Sequence, residues 1–116
     1  MKFTRNLIII LLICTSCNEE TNIPSGILEP NQMIDVMEDI YIAEGIVSSS
    51  DIINKEAERQ KAIDYYSIIY KKHNIDSLQY RKSFEYYCQH PALMQDVNEQ
   101  VINRLQKKQI DIYKQK

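Results

Sequence analysis

The chain has 116 residues, 44% hydrophobic and 26% charged, with a mean hydropathy of −0.40, which suits one soluble domain at most. Two Gly, three Pro and no Trp exclude a Gly-rich fibre and argue against a turn-dense β-sandwich. A formal charge of −2, with a pI near 5.7, gives no global attraction to nucleic acid or to an anionic membrane surface.

Residue order says more, and it speaks first about location. Lys2 and Arg5 precede the unbroken apolar run Leu7–Ile13, the basic and hydrophobic regions of a secretory signal. As a helix such a run rises about 12 Å, against a hydrocarbon core of about 30 Å. It is too short to remain as a spanning anchor. The stretch Thr15-Ser16-Cys17 that follows resembles a bacterial lipobox, in which small residues precede a lipidated Cys. Cys17 fits this pattern and Cys14 does not, because bulky Ile13 would occupy the small-residue site. Residues 1–16 are therefore read as a lipoprotein signal peptide and Cys17 as the palmitate-bearing first residue of the mature chain. Cys88 is then the one free thiol, so the domain folds without an internal disulfide. Two or more acyl chains anchor stably. A cell-envelope location at the outer membrane is expected. Asn18-Glu19-Glu20 partly resembles the acidic tag that carries Bacteroidetes lipoproteins to the cell surface.

Residues 17–30 combine the lipidated Cys with a flexible linker, in which Pro24, Gly26 and Pro30 stand among polar residues without a period. Thirteen such residues after Cys17 reach at most about 45 Å. The segment 31–116 contains Gly45 and Pro91 as its only breakers, and its apolar residues recur at helical spacing. It reads as an all-α domain, a small bundle of about four helices.

The first helix starts near Pro30 and runs to about Val47, with Met33, Met37, Ile40 and Val47 on one face and Ile34 and Tyr41 beside them. The second spans about Asn54 to His73, with Ala62, Tyr66, Ile69, Tyr70 and His73 as its stripe and Asn74 as a left-handed stop. Asp76 or Ser77 caps a third helix, assisted by Gln79, on which Tyr80, Phe84, Tyr87 and Cys88 form the inner face. Pro91 opens the fourth, whose stripe is Met94, Val97, Val101, Leu105 and Ile112.

These helices carry a resemblance. Met33-x-x-x-Met37-x-Asp39-Ile40-Tyr41-Ile42-Ala43-Glu44 is similar to the opening helix of a family of small Bacteroidetes lipoproteins, the domain of unknown function 4296. The similarity continues through Tyr66-x-x-Ile69-x-Lys71-Lys72-His73-Asn74-Ile75 and Tyr80-x-x-Ser83-Phe84-x-Tyr86-Tyr87-x-x-x-Pro91, with Val101 and Leu105 on the last helix. His73-Asn74 stands where the family often has Tyr-Gly, which touches only the helix stop. The resemblance implies a location and a helical fold, and no reaction.

Candidates for chemistry are few. Cys88-x-His90, with His73 upstream, is a single loose pair, short of the four ligands of structural zinc. Cys88 on the apolar stripe reads as a small core residue. Asp35, Glu38 and Asp39 read as a solvated acidic face, of which Asp39 adjoins the stripe and suits a hydrogen bond to a helix end or a Tyr hydroxyl. Eight tyrosines, six of them on the second and third helices, suit a core rim or a binding surface. Tyr86, Tyr65 and Asp39 are the candidate partner contacts. No catalytic residue, metal or cofactor is expected. Charge is asymmetric: Glu19 to Asp51 holds eight acids and no base, whereas Arg104 to Lys116 holds five bases and one acid. Part of that complements helix dipoles, and the remainder is available to orient a partner. The expected role is a membrane-tethered, non-catalytic interaction or structural module with an envelope protein partner and no nucleic acid. The alternative is an accessory envelope enzyme acting on glycan or peptide, which a convergent polar pocket would favour.

Overall fold

The computed structural model describes residues 22–50 and 53–115. The export signal, Cys14, Cys17, Glu19-Glu20 and Asp51 lie outside the described residues. Within them the fold is all-α: α1 (Pro30–Ser48), α2 (Lys55–Lys72), α3 (Ser77–Cys88) and α4 (Pro91–Lys114).

Local chemistry sets each boundary. Pro30 occupies the first turn of α1, where its missing N–H costs no helical bond, and Gln32 Oε1 accepts from the Glu29 N–H at 3.1 Å. Asn54 begins α2, its Oδ1 accepting from the Glu56 N–H at 2.9 Å. At the far end Asn74 adopts φ 57°. Its N–H reaches the Lys71 carbonyl and that of Ile75 reaches Tyr70, the paired bonds of a Schellman stop built on Asn instead of Gly. Asp76 Oδ1 then accepts from the Gln79 N–H at 2.7 Å to start α3. Pro91 opens α4 and keeps His90 before it out of the helical conformation, at φ −123° and ψ 78°.

α1 is the hub. It packs against α2 on one side and α4 on another, and α3 packs on α4. Met33, Ile34, Val36, Met37, Ile40, Ala43 and Val47 of α1 are buried with Ile69, Tyr87, Val97 and Val101.

The domain also begins earlier than the breakers suggest. The last residues of the segment read as linker form a strap across α3. Leu28 is buried, its N–H donates to Ser83 Oγ at 2.9 Å, and its carbonyl accepts from the Tyr87 hydroxyl at 2.9 Å. Gly26, at φ 84°, turns the chain into this strap.

The inner face of α3 is rotated from its expected position. Tyr87 is fully buried as anticipated, but its companion is Ser83, while Phe84 is 39% exposed and Cys88 is exposed. Ser83 can be buried because its hydroxyl accepts from Leu28 and donates to the Gln79 carbonyl, leaving no unpaired polar atom. Cys88 is thus a surface thiol, not a core residue. Tyr41 and Ile112 are also exposed, the latter on the end of a helix longer than the bundle beside it.

Candidate functional site

The acids of α1 are largely matched inside the molecule. Arg104 of α4 reaches Asp35 at 2.5 Å and Glu38 at 3.4 Å. Lys108 lies 2.5 Å from Glu38 Oε1, in ion-pair contact but without hydrogen-bond alignment. Asp39 Oδ2 faces α2, with Lys72 Nζ at 2.7 Å and His73 Nε2 at 2.6 Å. Burial works against ionisation of Asp39, but these two neighbours outweigh it and hold the carboxyl below its ordinary value. The expected helix-end role of Asp39 thus goes to the residues that close α2, not to a Tyr hydroxyl. Part of the asymmetry between an acidic first half and a basic C-terminus thus holds α1 to α4, where Arg104 and Lys108 meet Asp35 and Glu38.

The tyrosines form a band across α2 and α3. Tyr66 and Tyr70 stack with centroids 6.2 Å apart, and the tilted pairs Tyr70–Tyr80 at 5.6 Å and Tyr80–Phe84 at 6.0 Å continue the row. Their bodies are half-buried against the core and Phe84 ends the band at the surface. The Tyr66 hydroxyl donates to Glu44 Oε1 at 2.6 Å. Burial, followed by that carboxylate, pushes the Tyr66 hydroxyl up to about 12; burial also raises Tyr70 and Tyr80. All three stay protonated donors at any physiological pH.

Three concavities flank α2. A cleft of about 220 Å³ lies between the end of α1 and the start of α2, with Glu44, Glu58, Tyr65 and Tyr66 around an apolar floor of Ala43, Val47 and Ala62. Tyr65 also borders a second groove, of about 170 Å³, which contains Asp39, Ile42, Ile68 and Lys72. A shallow third groove, of about 690 Å³, runs past Tyr66, Tyr70, Lys71 and Ile75.

Of the candidate contacts, Asp39 and Tyr65 are brought together in the second groove. Tyr86 is not among its lining residues; it sits at the α3–α4 corner, edge-on to Tyr87 and stacked on His90 at 4.1 Å. His90 Nδ1 is 2.7 Å from the Tyr86 carbonyl oxygen, so this His serves the corner. Among the described residues no three His, Cys, Asp or Glu side chains converge as a metal site. The sequence marks Glu44 only as the end of the first-helix motif and gives no role to Glu58. Glu44 lies 22 residues from Tyr66, and no local spacing reports that pairing.

The sequence profile of a family described as a domain of unknown function, DUF4296, matches residues 24–111. No curated protein and no solved structure matches the chain. The matched span begins at Pro24, just ahead of the strap, and includes all four helix cores.

Proposed function

The chain belongs to the DUF4296 family, and from its sequence signals and this geometry we propose that it is a lipid-anchored lipoprotein of the cell envelope whose helical domain is a non-catalytic interaction module. The anchor rests on the basic and apolar start followed by Thr15-Ser16-Cys17. The module rests on one observation above all: the ring band from Tyr66 to Phe84 lies half-buried at the surface of α2 and α3. Such rings provide large contact area at low conformational cost. Against the alternative, an enzyme acting on glycan or peptide, Asp35, Glu38 and Asp39 are engaged in ion pairs that hold helices together. The expected partner is an envelope protein, and the expected site is the outer membrane, facing the cell surface if Glu19-Glu20 acts as an export tag.

Radiolabelled palmitate tests the anchor: the label should enter the wild type and Cys17→Ala should lose it, while Cys14→Ala keeps it. Equal labelling of Cys17→Ala overturns the anchor. Protease added to intact cells should remove the domain, and Glu19→Ala with Glu20→Ala should protect it. Protection already in the wild type places the domain on the periplasmic side.

A further inference from the structure

The cleft between α1 and α2 differs in charge from the places where the other acids of α1 meet their neighbours. Asp35, Glu38 and Asp39 each meet a basic side chain of another helix. Glu44 meets only a neutral tyrosine hydroxyl, and among the described residues neither Glu44 nor Glu58 forms an ion pair. Lys55 and Lys61 stand one turn either side of Glu58 on α2, yet neither closes onto it. Two carboxylates therefore face one concave space with no protein cation between them.

The remaining walls narrow the ligand chemistry. Tyr65 and Tyr66 present aromatic surface, and Ala43, Val47 and Ala62 make an apolar floor. At about 220 Å³ the space is below the usual range of roughly 300–1,000 Å³ for drug-sized ligands, and suits one side chain. An apolar floor takes an aliphatic stem, ring faces attract a cation through their quadrupole, and the carboxylates supply the countercharge. Tyr66 holds Glu44 Oε1 as a donor, which orients the carboxylate while leaving its second oxygen for a ligand.

We propose that this cleft is a receptor for an organic cation on an aliphatic stem, an alkylammonium or a guanidinium. The source is a Lys or Arg side chain of a partner, or a free amine. In the first case the cleft gives the interaction module its specificity, and to that extent the inference rests on the module reading.

The test uses the detergent-solubilised full chain with labelled tyrosines, followed by NMR. Nα-acetyl-arginine amide, Nα-acetyl-lysine amide and cadaverine should each shift the Tyr65 and Tyr66 ring signals saturably, whereas neutral Nα-acetyl-norleucine amide should not. Glu44→Gln with Glu58→Gln should weaken binding at least tenfold while leaving the thermal melt in place. A norleucine derivative that binds equally well, a double variant that keeps its affinity, or no saturable shift at all overturns the site. Tighter binding of the amino-acid amides than of cadaverine assigns the cation to a protein partner; the reverse order assigns it to a free amine. The two readings fail separately. Saturable binding in a chain that crosslinks to no envelope protein would sink the module and keep the cation site. A captured partner with no cation binding would do the opposite.

Discussion

The two halves of α1 meet their neighbours in different ways. From Met33 to Ile40 the helix is enclosed, and each acid in that stretch is answered by a base from α2 or α4. From Ala43 to Ser48 only two residues are buried, Ala43 and Val47, and Glu44 faces a cleft with a tyrosine hydroxyl for company. The difference teaches how so small a domain divides its labour. The first half, with the Leu28 strap and α3 behind it, is where folding energy is concentrated. The second half gives up burial and charge matching, and so keeps its surface open.

The largest effect should come from Tyr87, which lies behind the enclosed half. Tyr87→Ala removes a fully buried ring and leaves the Leu28 carbonyl unpaired. The expected cost is about 3–5 kcal/mol, much of the stability of a domain this size. Urea unfolding of the full chain followed by circular dichroism measures it; a loss below about 1 kcal/mol would mean that the strap does not hold the core. Removing both bases next to Glu38, Arg104→Ala with Lys108→Ala, strands a buried carboxylate. The two bases are themselves half-exposed, so the cost should be about 2 kcal/mol, not the full penalty of a buried pair. The same denaturant series checks it.

Asp39 links the comparison to pH. Its carboxyl is held below the ordinary value of 3.8 in the folded state, so the unfolded chain takes up the proton first as pH falls. The stabilisation is complete above that ordinary value and is lost as pH drops through the lower folded value. Lys72 is well exposed, so solvent screening limits the contribution to about 1 kcal/mol. Asp39→Asn should lower the melting temperature at pH 7 and flatten the acid limb of a melting series carried down through the ordinary carboxylate range and below it. An unchanged acid limb would show that Lys72 and His73 do not hold this carboxylate in solution.

Phe84→Ala should cost about 1 kcal/mol in urea unfolding, because the ring is partly exposed; a loss of 3 kcal/mol would return it to the core. The smallest effect is expected in the open half of α1. A Cβ at Gly45 meets nothing within 4 Å, so Gly45→Ala should stabilise by about 0.5–1 kcal/mol through helix propensity. Destabilisation instead would mean that the open half is packed more tightly than its surface shows.

Among the described residues, residue order alone determined the helical class, the four helices and most of their ends. These depend on interactions within a few residues: Pro30 and Pro91 in first turns, Asn54 and Asp76 as caps, and Asn74 as the left-handed stop. Local backbone chemistry is written in consecutive positions and can be read there. The proposed lipobox is local in the same way, since it rests on the consecutive residues Thr15-Ser16-Cys17. What the tertiary structure decided is which side of each helix faces in and which charges are answered. The large residues Tyr80, Phe84 and Tyr87 suggested one inner face for α3. The actual face includes Ser83, whose hydroxyl donates to the Gln79 carbonyl on its own helix and is completed by the amide of Leu28, 55 residues away. The acids of α1 looked solvated for the same reason: Arg104 lies 69 and 66 positions from Asp35 and Glu38, and Lys72 and His73 lie 33 and 34 positions from Asp39. Glu44 stands in the sequence only as the end of the first-helix motif, because what distinguishes it is the lack of such a partner in a cleft that exists only once α1 and α2 are side by side. Burial and charge pairing are properties of surfaces brought together by folding, and a helical period can propose a face but cannot say which remote group will complete it.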